Sequence, residues 1–260
     1  MNKQMFDALV DKKVITKVDL VDFYNANPTE LEKLTVEEMI ADGIATEIST
    51  NNYILPDFSK GGPIKLENDL YITYPIIIEK DTEIDLNGFN IINDTIFVDE
   101  SDGSTNCYVF WVKKNKLVIK GEGTVRAIGK STYDIAVWAN GGTVDIYGGH
   151  FISGGTEGNG CDCIYSSAGG RVNIYDGKFE CLHINNVSFA SPQYGVLNEK
   201  GNNQNTINCF GGQYVKFNPS DNISENPKKD FCAKGYKSIM IENDLWEVVK
   251  NEEDIVVEEA

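Results

Sequence analysis

The side chains in this sequence that could do chemistry are few and widely spaced. Asp134 and Asp162 hold the same place in two stretches, "TYDIAVWANGGTVDIYGGHF" (132–151) and "GCDCIYSSAGGRVNIYDGKF" (160–179), which align without a gap and share eight of twenty residues. Two or three carboxylates about 5 to 10 Å apart could hydrolyse a glycosidic bond. A cation beside a carboxylate cluster could instead bind calcium with an acidic sugar and abstract its proton. If the two stretches lie as neighbouring strands, Asp134 and Asp162 stand about 4.8 Å apart, but the next comparable position is Gln193, so the acidic row ends after two members. Turn capping, adventitious cation binding and catalysis are the three readings of this pair.

The other reactive types are arranged still less like a catalytic set. The two arginines, Arg126 and Arg171, fall in alternating segments where they read as solvated outward side chains. His150 lines up with Lys178 and Gln213 in a polar outward row. Asp145 lines up with Asn173 and Asn208, a short polar stack rather than an acid pair. Six cysteines include the alternating pair Cys161 and Cys163, and neither His150 nor His183 sits at ligand spacing from it, so no zinc site is expected. The cysteines read as small buried hydrophobes in a reducing compartment. No catalytic residue, metal or cofactor is therefore assigned, and the chain is read as not an enzyme.

The elements that position these residues follow from the repeat. "IDLNGFNI" from Ile84, "LVIKGEGTV" from Leu117, "VDIYGGHF" from Val144, "VNIYDGKF" from Val172 and "INCFGGQY" from Ile207 start 33, 27, 28 and 35 residues apart. Alternation of apolar and polar residues, with glycines at fixed places, excludes helical repeats. The spacing is too short for a four-stranded propeller blade. A short right-handed parallel β-helix of about five coils fits, each coil burying its apolar row on the next. This register puts Ile135 on Cys163, Val137 on Tyr165, Ile146 on Ile174 and Phe151 on Phe179. It leaves Tyr147, Tyr175 and Phe210 in one outward row, with Tyr133 and Trp138 as further outward aromatics. Such a row could cover a partner or a second copy, stack on sugar rings, or simply decorate the surface.

The predicted fold is mainly β, with the β-helix over residues 49–217 between two different ends. Residues 1–48 carry helix punctuation: capping boxes at Thr16/Asp19 and Thr35/Glu38, Asn27–Pro28, and a stop at Gly43. A small α-helical domain is expected there, too slight for a strong core of its own. Residues 218–260 leave the period and end in "YKSIMIE" and "LWEVVK" around Asn243–Asp244, a hairpin expected to cap the last coil.

A formal charge of −17, from 40 acidic and 23 basic residues, argues against nucleic-acid partners. No run of about 18 apolar residues is available to span a membrane, and the charged start does not read as a secretory signal.

The combination of "IDLNGFNI", "GGTVDIYGGHF", "GGRVNIYDGKF" and the closing "FNPSDNISENPKKDFCAKGYKSIMIENDLWEVV" resembles the pectin-lyase-like β-helix domains of bacteriophage structural proteins, especially head and tail fibre proteins of phages from gut Bacteroides-type hosts. The resemblance covers residues 50–250, and the closing segment is its most specific part. It implies a virion component, a head fibre or capsid-decorating protein, made in the host cytoplasm. Its N-terminal region would be fastened to a capsid or other virion protein, and the chain would be a homo-oligomer, dimer or trimer. Phe6, Leu9, Val10, Leu20, Phe23 and Tyr24 are the candidate anchor contacts, or else a small internal core. Tyr147, Tyr175 and Phe210 are the candidate contacts for a partner or a surface glycan. Many proteins of that fold cleave polysaccharides, so a tail-spike-like carbohydrate-binding or carbohydrate-cleaving module is the alternative. The Gly-His-Gly and Asn-Thr-Asp motifs of its polygalacturonases are missing, since 148–151 reads "GGHF" and 93–95 reads "NDT". A bacterial protein of phage origin with no virion role is a third reading.

Overall fold

A computed structural model describes residues 56–98, 103–129, 131, 133–154, 160–182, 195–201, 206–222 and 230–251. The chain divides after Leu55, and every described residue belongs to the second part. The helices expected over residues 1–48, with Phe6, Leu9, Val10, Leu20, Phe23 and Tyr24, lie outside the described residues, as does Gln193.

The described part is mainly β, with one short 3-10 turn at Phe58–Lys60. Its strands fall into three strips of parallel neighbours. The first strip runs β1 (Gly62–Lys65), β4 (Thr82–Asp85), β8 (Lys116–Lys120), the start of β11 (Thr143–Ser153), the start of β13 (Arg171–Cys181) and β15 (Thr206–Cys209). The second runs β2 (Leu70–Ile72), β5 (Ile91–Asn93), β9 (Thr124–Ala127), the ends of β11 and β13, and β16 (Gln213–Val215). The third runs β3 (Ile76–Ile78), β7 (Thr105–Val112), β10 (Tyr133–Asn140), β12 (Gly160–Ser167) and β14 (Leu197–Glu199). Two-residue β6 (Phe97–Val98) lies antiparallel on β7. At the far end β18 (Leu245–Lys250) pairs antiparallel with β16, and β17 (Tyr236–Glu242) pairs antiparallel with β18.

These segments are strands because their residues alternate. Leu117 and Ile119, Val144 and Ile146, Val172 and Ile174, Ile207 and Cys209 turn inward and are fully buried, while the residues between them face out. The inward side chains stack in rows along the strips. Phe151 lies on Phe179 at 5.1 Å between ring centroids and Phe179 on Tyr214 at 5.2 Å, and the buried Tyr214 hydroxyl donates to the Gly211 carbonyl at 2.9 Å. Burying each such ring contributes about 1.5–3 kcal/mol, and its stacking adds about 0.5–1.5 kcal/mol.

The expected register holds over β11 and β13, where Val144, Asp145, Ile146, His150 and Phe151 face Val172, Asn173, Ile174, Lys178 and Phe179. It fails in the third strip. Asp134 pairs with Cys161, Ile135 with Asp162, Val137 with Ile164 and Trp138 with Tyr165, one residue away from the gap-free alignment. The two copies turn their corners with different lengths. Asn140 and Thr143 are separated by Gly141 and Gly142, but their partners Ser167 and Arg171 are separated by Ala168, Gly169 and Gly170. The extra residue is absorbed by left-handed backbone at Ala168 (φ 52°) and Gly169 (φ 81°). Gly170 must be glycine, because a Cβ there would lie 2.0 Å from the Ala139 carbonyl oxygen of the preceding strand. Ile84 is also displaced from the expected start, facing Ile119 rather than Leu117. A slip of two residues keeps every side chain on its own face.

The cysteines depart from expectation at one place. Cys107, Cys163 and Cys209 are buried free thiols and Cys232 is a half-buried one, but Cys181 is disulfide-bonded. A uniformly reduced set does not describe this chain.

Candidate functional site

The outward row of β11, β13 and the turn after β15 brings Tyr147, Tyr175 and Phe210 together as the alternation requires. Tyr147 and Tyr175 stack with centroids 4.6 Å apart and planes 4° from parallel; Tyr175 and Phe210 follow at 5.0 Å and 11°. Tyr236 closes the row edge-on against Phe210 at 5.4 Å. The backbone slips here, Tyr147 facing Asp176, yet the rings stay aligned. Tyr147 and Tyr175 keep 48% and 37% of their surface exposed. Because their faces lie on one another, the ladder shows solvent a ridge of ring edges and hydroxyls. A sugar ring needs a free aromatic face, which within this stack is taken.

A second row, one step back along each strand, is polar. Asn173 donates from Nδ2 to Asp145 Oδ1 at 2.8 Å, and Asn208 donates to Asn173 Oδ1 at 3.4 Å. The other carboxylate oxygen of Asp145, Oδ2, takes Lys116 Nζ at 2.5 Å. Asp145 is buried under this arrangement, and its hydrogen bond raises the pKa of Lys116. Burial first, with the Asp145 charge adding, also raises the pKa of the Tyr175 hydroxyl. The row is thus a structural ladder in which the carboxylate is fully engaged.

Asp134 and Asp162 are not brought together as a carboxylate pair. Asp134 is buried and accepts the Ser131 amide at 3.1 Å and the Ser131 hydroxyl, capping the turn before β10. Asp162 accepts Asn198 Nδ2 at 3.2 Å. Arg171 is exposed between Thr143 and Thr206, and Arg126 lies beside Ile152. Among the described residues no group of three His, Cys, Asp or Glu side chains could hold a metal ion.

His150, Lys178 and Gln213 form the predicted polar row. His150 Nε2 stands 3.4 Å from Glu180 Oε2. Burial depresses the His150 pKa, and Lys178 adds to the depression against the opposing pull of Glu180. A shallow cavity of about 450 Å³ opens beside this histidine, lined by Tyr147, Glu122, Asp176 and the glycines Gly121, Gly123 and Gly149 among others.

The alignment missed a second outer aromatic row on the third strip. Trp111 and Trp138 stack at 4.9 Å and 4°, Tyr165 follows at 6.1 Å, and Tyr108 meets both tryptophans edge-on. Lys113 Nζ caps the Trp111 face at 4.1 Å, and Trp138 donates from its indole to Ser167 Oγ at 2.7 Å. The gap-free register had turned Tyr165 inward against Val137. Allowing one extra residue at the corner before Arg171 would have found the row.

No known protein family, curated protein or solved structure matches this chain.

Proposed function

We propose that this chain is a non-enzymatic structural component of a bacteriophage particle, a head fibre whose shaft is a short right-handed parallel β-helix. The observation that carries the shaft is the recurrence of parallel pairing in three strips, with partners 26 to 35 residues apart in the central rungs. Each outer row is bonded along the stack rather than converging on a point, as Lys116, Asp145, Asn173 and Asn208 are. That arrangement supports rigidity rather than turnover. The hairpin of β17 and β18 would close the last coil, shielding its strand edges. In this reading residues 1–48 fasten the chain to a capsid protein through Phe6, Leu9, Val10, Leu20, Phe23 and Tyr24, and the protein works in the virion as a homo-oligomer. The particle itself is supported by the resemblance of the glycine repeats and of the closing segment. No cofactor enters.

The test is to incubate the tagged full-length chain with purified phage particles and their dissociated capsid subunits, then identify what is retained. Retention of one capsid protein, lost when Phe6, Leu9 and Val10 are changed to Ser together, supports the anchor. Retention of none removes the virion reading.

The cavity beside Tyr147 favours a second reading, carbohydrate binding, because Tyr147 is the open end of its ladder and Glu122, Asp176 and His150 are polar neighbours. Depletion of a host polysaccharide by the same full-length chain, abolished by Tyr147→Ala, would select it.

A further inference from the structure

Tyr175 lies on the face of Tyr147 that looks toward β13. The opposite face looks toward β8, which ends at Lys120 and is followed by Gly121, Glu122 and Gly123. Among the described residues no second ring stacks there and no ammonium lies over it. Gly121 brings no side chain and tolerates none, since a Cβ there would stand 2.5 Å from Asp85 Oδ1. The cavity of about 450 Å³ beside Tyr147 is therefore kept open by residues that cannot fill it, and its size suits a small molecule.

The charge that lines this cavity has one sign. Glu122 and Asp176 are both exposed, and neither forms an ion pair among the described residues. One oxygen of Asp176 accepts the Gly177 amide at 2.7 Å. No lysine or arginine belongs to the lining. The lysines of β8 are already held, Lys116 by Asp145 and Lys120 by Glu83. Lys178, Arg126 and Glu180 stand beyond His150, outside the lining. Burial disfavours the charged form of His150, so the imidazole brings no cation near neutral pH. Elsewhere the chain shows what an aromatic face in this setting takes, because Lys113 Nζ caps Trp111 at 4.1 Å. Tyr147 offers a comparable face, has carboxylates beside it and lacks a cation of its own.

We infer that the cavity binds an amino sugar, its ring laid on the open face of Tyr147 and its ammonium paired with the Glu122 and Asp176 carboxylates. An acidic sugar would set its own carboxylate against these two, on a chain of net charge −17. A neutral sugar could use the ring face but would make only the weaker, singly charged hydrogen bonds to the carboxylates. This inference rests on the carbohydrate reading of the cavity, for which it names the ligand class, and is independent of the capsid anchor.

The experiment is isothermal titration calorimetry of the full-length chain in low salt, at about pH 6, where a sugar amine is protonated. The probes are glucosamine, its uncharged counterpart N-acetylglucosamine, and glucuronate. Glucosamine is expected to bind with a dissociation constant on the order of 0.1–1 mM, at least about tenfold tighter than N-acetylglucosamine, and glucuronate not to bind. Raising the pH to about 9 neutralises the amine and should remove the advantage. Glu122→Gln combined with Asp176→Asn should bring glucosamine down to the level of N-acetylglucosamine, and Tyr147→Ala should abolish both. Unchanged circular dichroism and melting temperature of the carboxylate variant establish that its fold is intact. Equal affinity for the two sugars, or a preference that survives loss of both carboxylates, would overturn the inference and leave the carbohydrate reading standing. Glucosamine binding that Tyr147→Ala does not alter would overturn it as well. Binding of none of the three also overturns it, and polysaccharide depletion then decides the carbohydrate reading by itself.

Discussion

Tyr147 and Tyr175 lie face to face, 4.6 Å apart and 4° from parallel, although the backbone beneath them slips out of register. The rings are held by each other. Stacked pairs of this kind are worth about 0.5–1.5 kcal/mol beyond their buried area. A double-mutant cycle with Tyr147→Ala and Tyr175→Ala, measured by urea unfolding, is expected to give a coupling in that range. Independent effects would show that the alignment is enforced by the backbone alone.

The contact of Asp145 with Lys116 and Asn173 is expected to matter more. Asp145→Ala leaves the Asn173 amide and the Lys116 ammonium without their shared acceptor, and should cost about 1–3 kcal/mol. Asp145→Asn should cost less, since it retains an oxygen for Asn173. The raised Lys116 pKa carries a pH signature. A cation held above its unfolded pKa contributes fully below the ordinary lysine value and loses that contribution as pH rises through the folded value. The stability difference between wild type and Lys116→Met should therefore shrink on the alkaline side, above about pH 10. A difference that stays constant through that window would remove the ion pair as its cause.

His150 predicts the opposite edge of the pH range. Its folded pKa lies below its ordinary value because burial disfavours the cation. The unfolded chain then binds the proton first, and stability present above about pH 6.5 is lost as pH falls from there toward the folded value. In thermal melts between pH 7.5 and 5, His150→Gln should show a shallower decline than wild type. Parallel curves would exclude His150 as the group responsible.

The corner before Arg171 separates two kinds of glycine. Gly169→Ala meets no atom within 4 Å and bears only the left-handed backbone, so about 1–2 kcal/mol is expected. Gly170→Ala drives a Cβ into the Ala139 carbonyl and should cost more, about 2–4 kcal/mol. Equal losses would mean that the two strips separate easily at this corner.

Thiol labelling tests the packing of the interior. Burial pushes the Cys107 thiol up to about 12, with the Asp134 charge adding, and burial also raises Cys163. Thiolate is the reacting form. Under native conditions Cys232, half-buried, should be modified before Cys107, Cys163 and Cys209, as read by peptide mass mapping. Early labelling of Cys107 would show that the third strip opens.

Much of this was legible in the chain itself. Alternation in "LVIK", "VDIY", "VNIY" and "INC" determined which side chains are inside, because a strand has a period of two and apolar rows must be buried. The Tyr147, Tyr175 and Phe210 row and the Asp145, Asn173 and Asn208 row followed from that period together with the repeat that lays one strand on the next, and the strands on either side of Asn243–Asp244 from the alternation and the turn between them. What the tertiary structure decided was the register between strips. Ala168, Gly169 and Gly170 spend one residue more than Gly141 and Gly142 in turning a corner, and an alignment without gaps cannot see a residue taken up by left-handed backbone. That single residue separates Asp134 from Asp162 and sets Tyr165 beside Trp138. The disulfide at Cys181 and the exposure of both faces of β17 were likewise beyond the sequence, since each depends on what distant segments bring near, and periodicity reports only which way a side chain points.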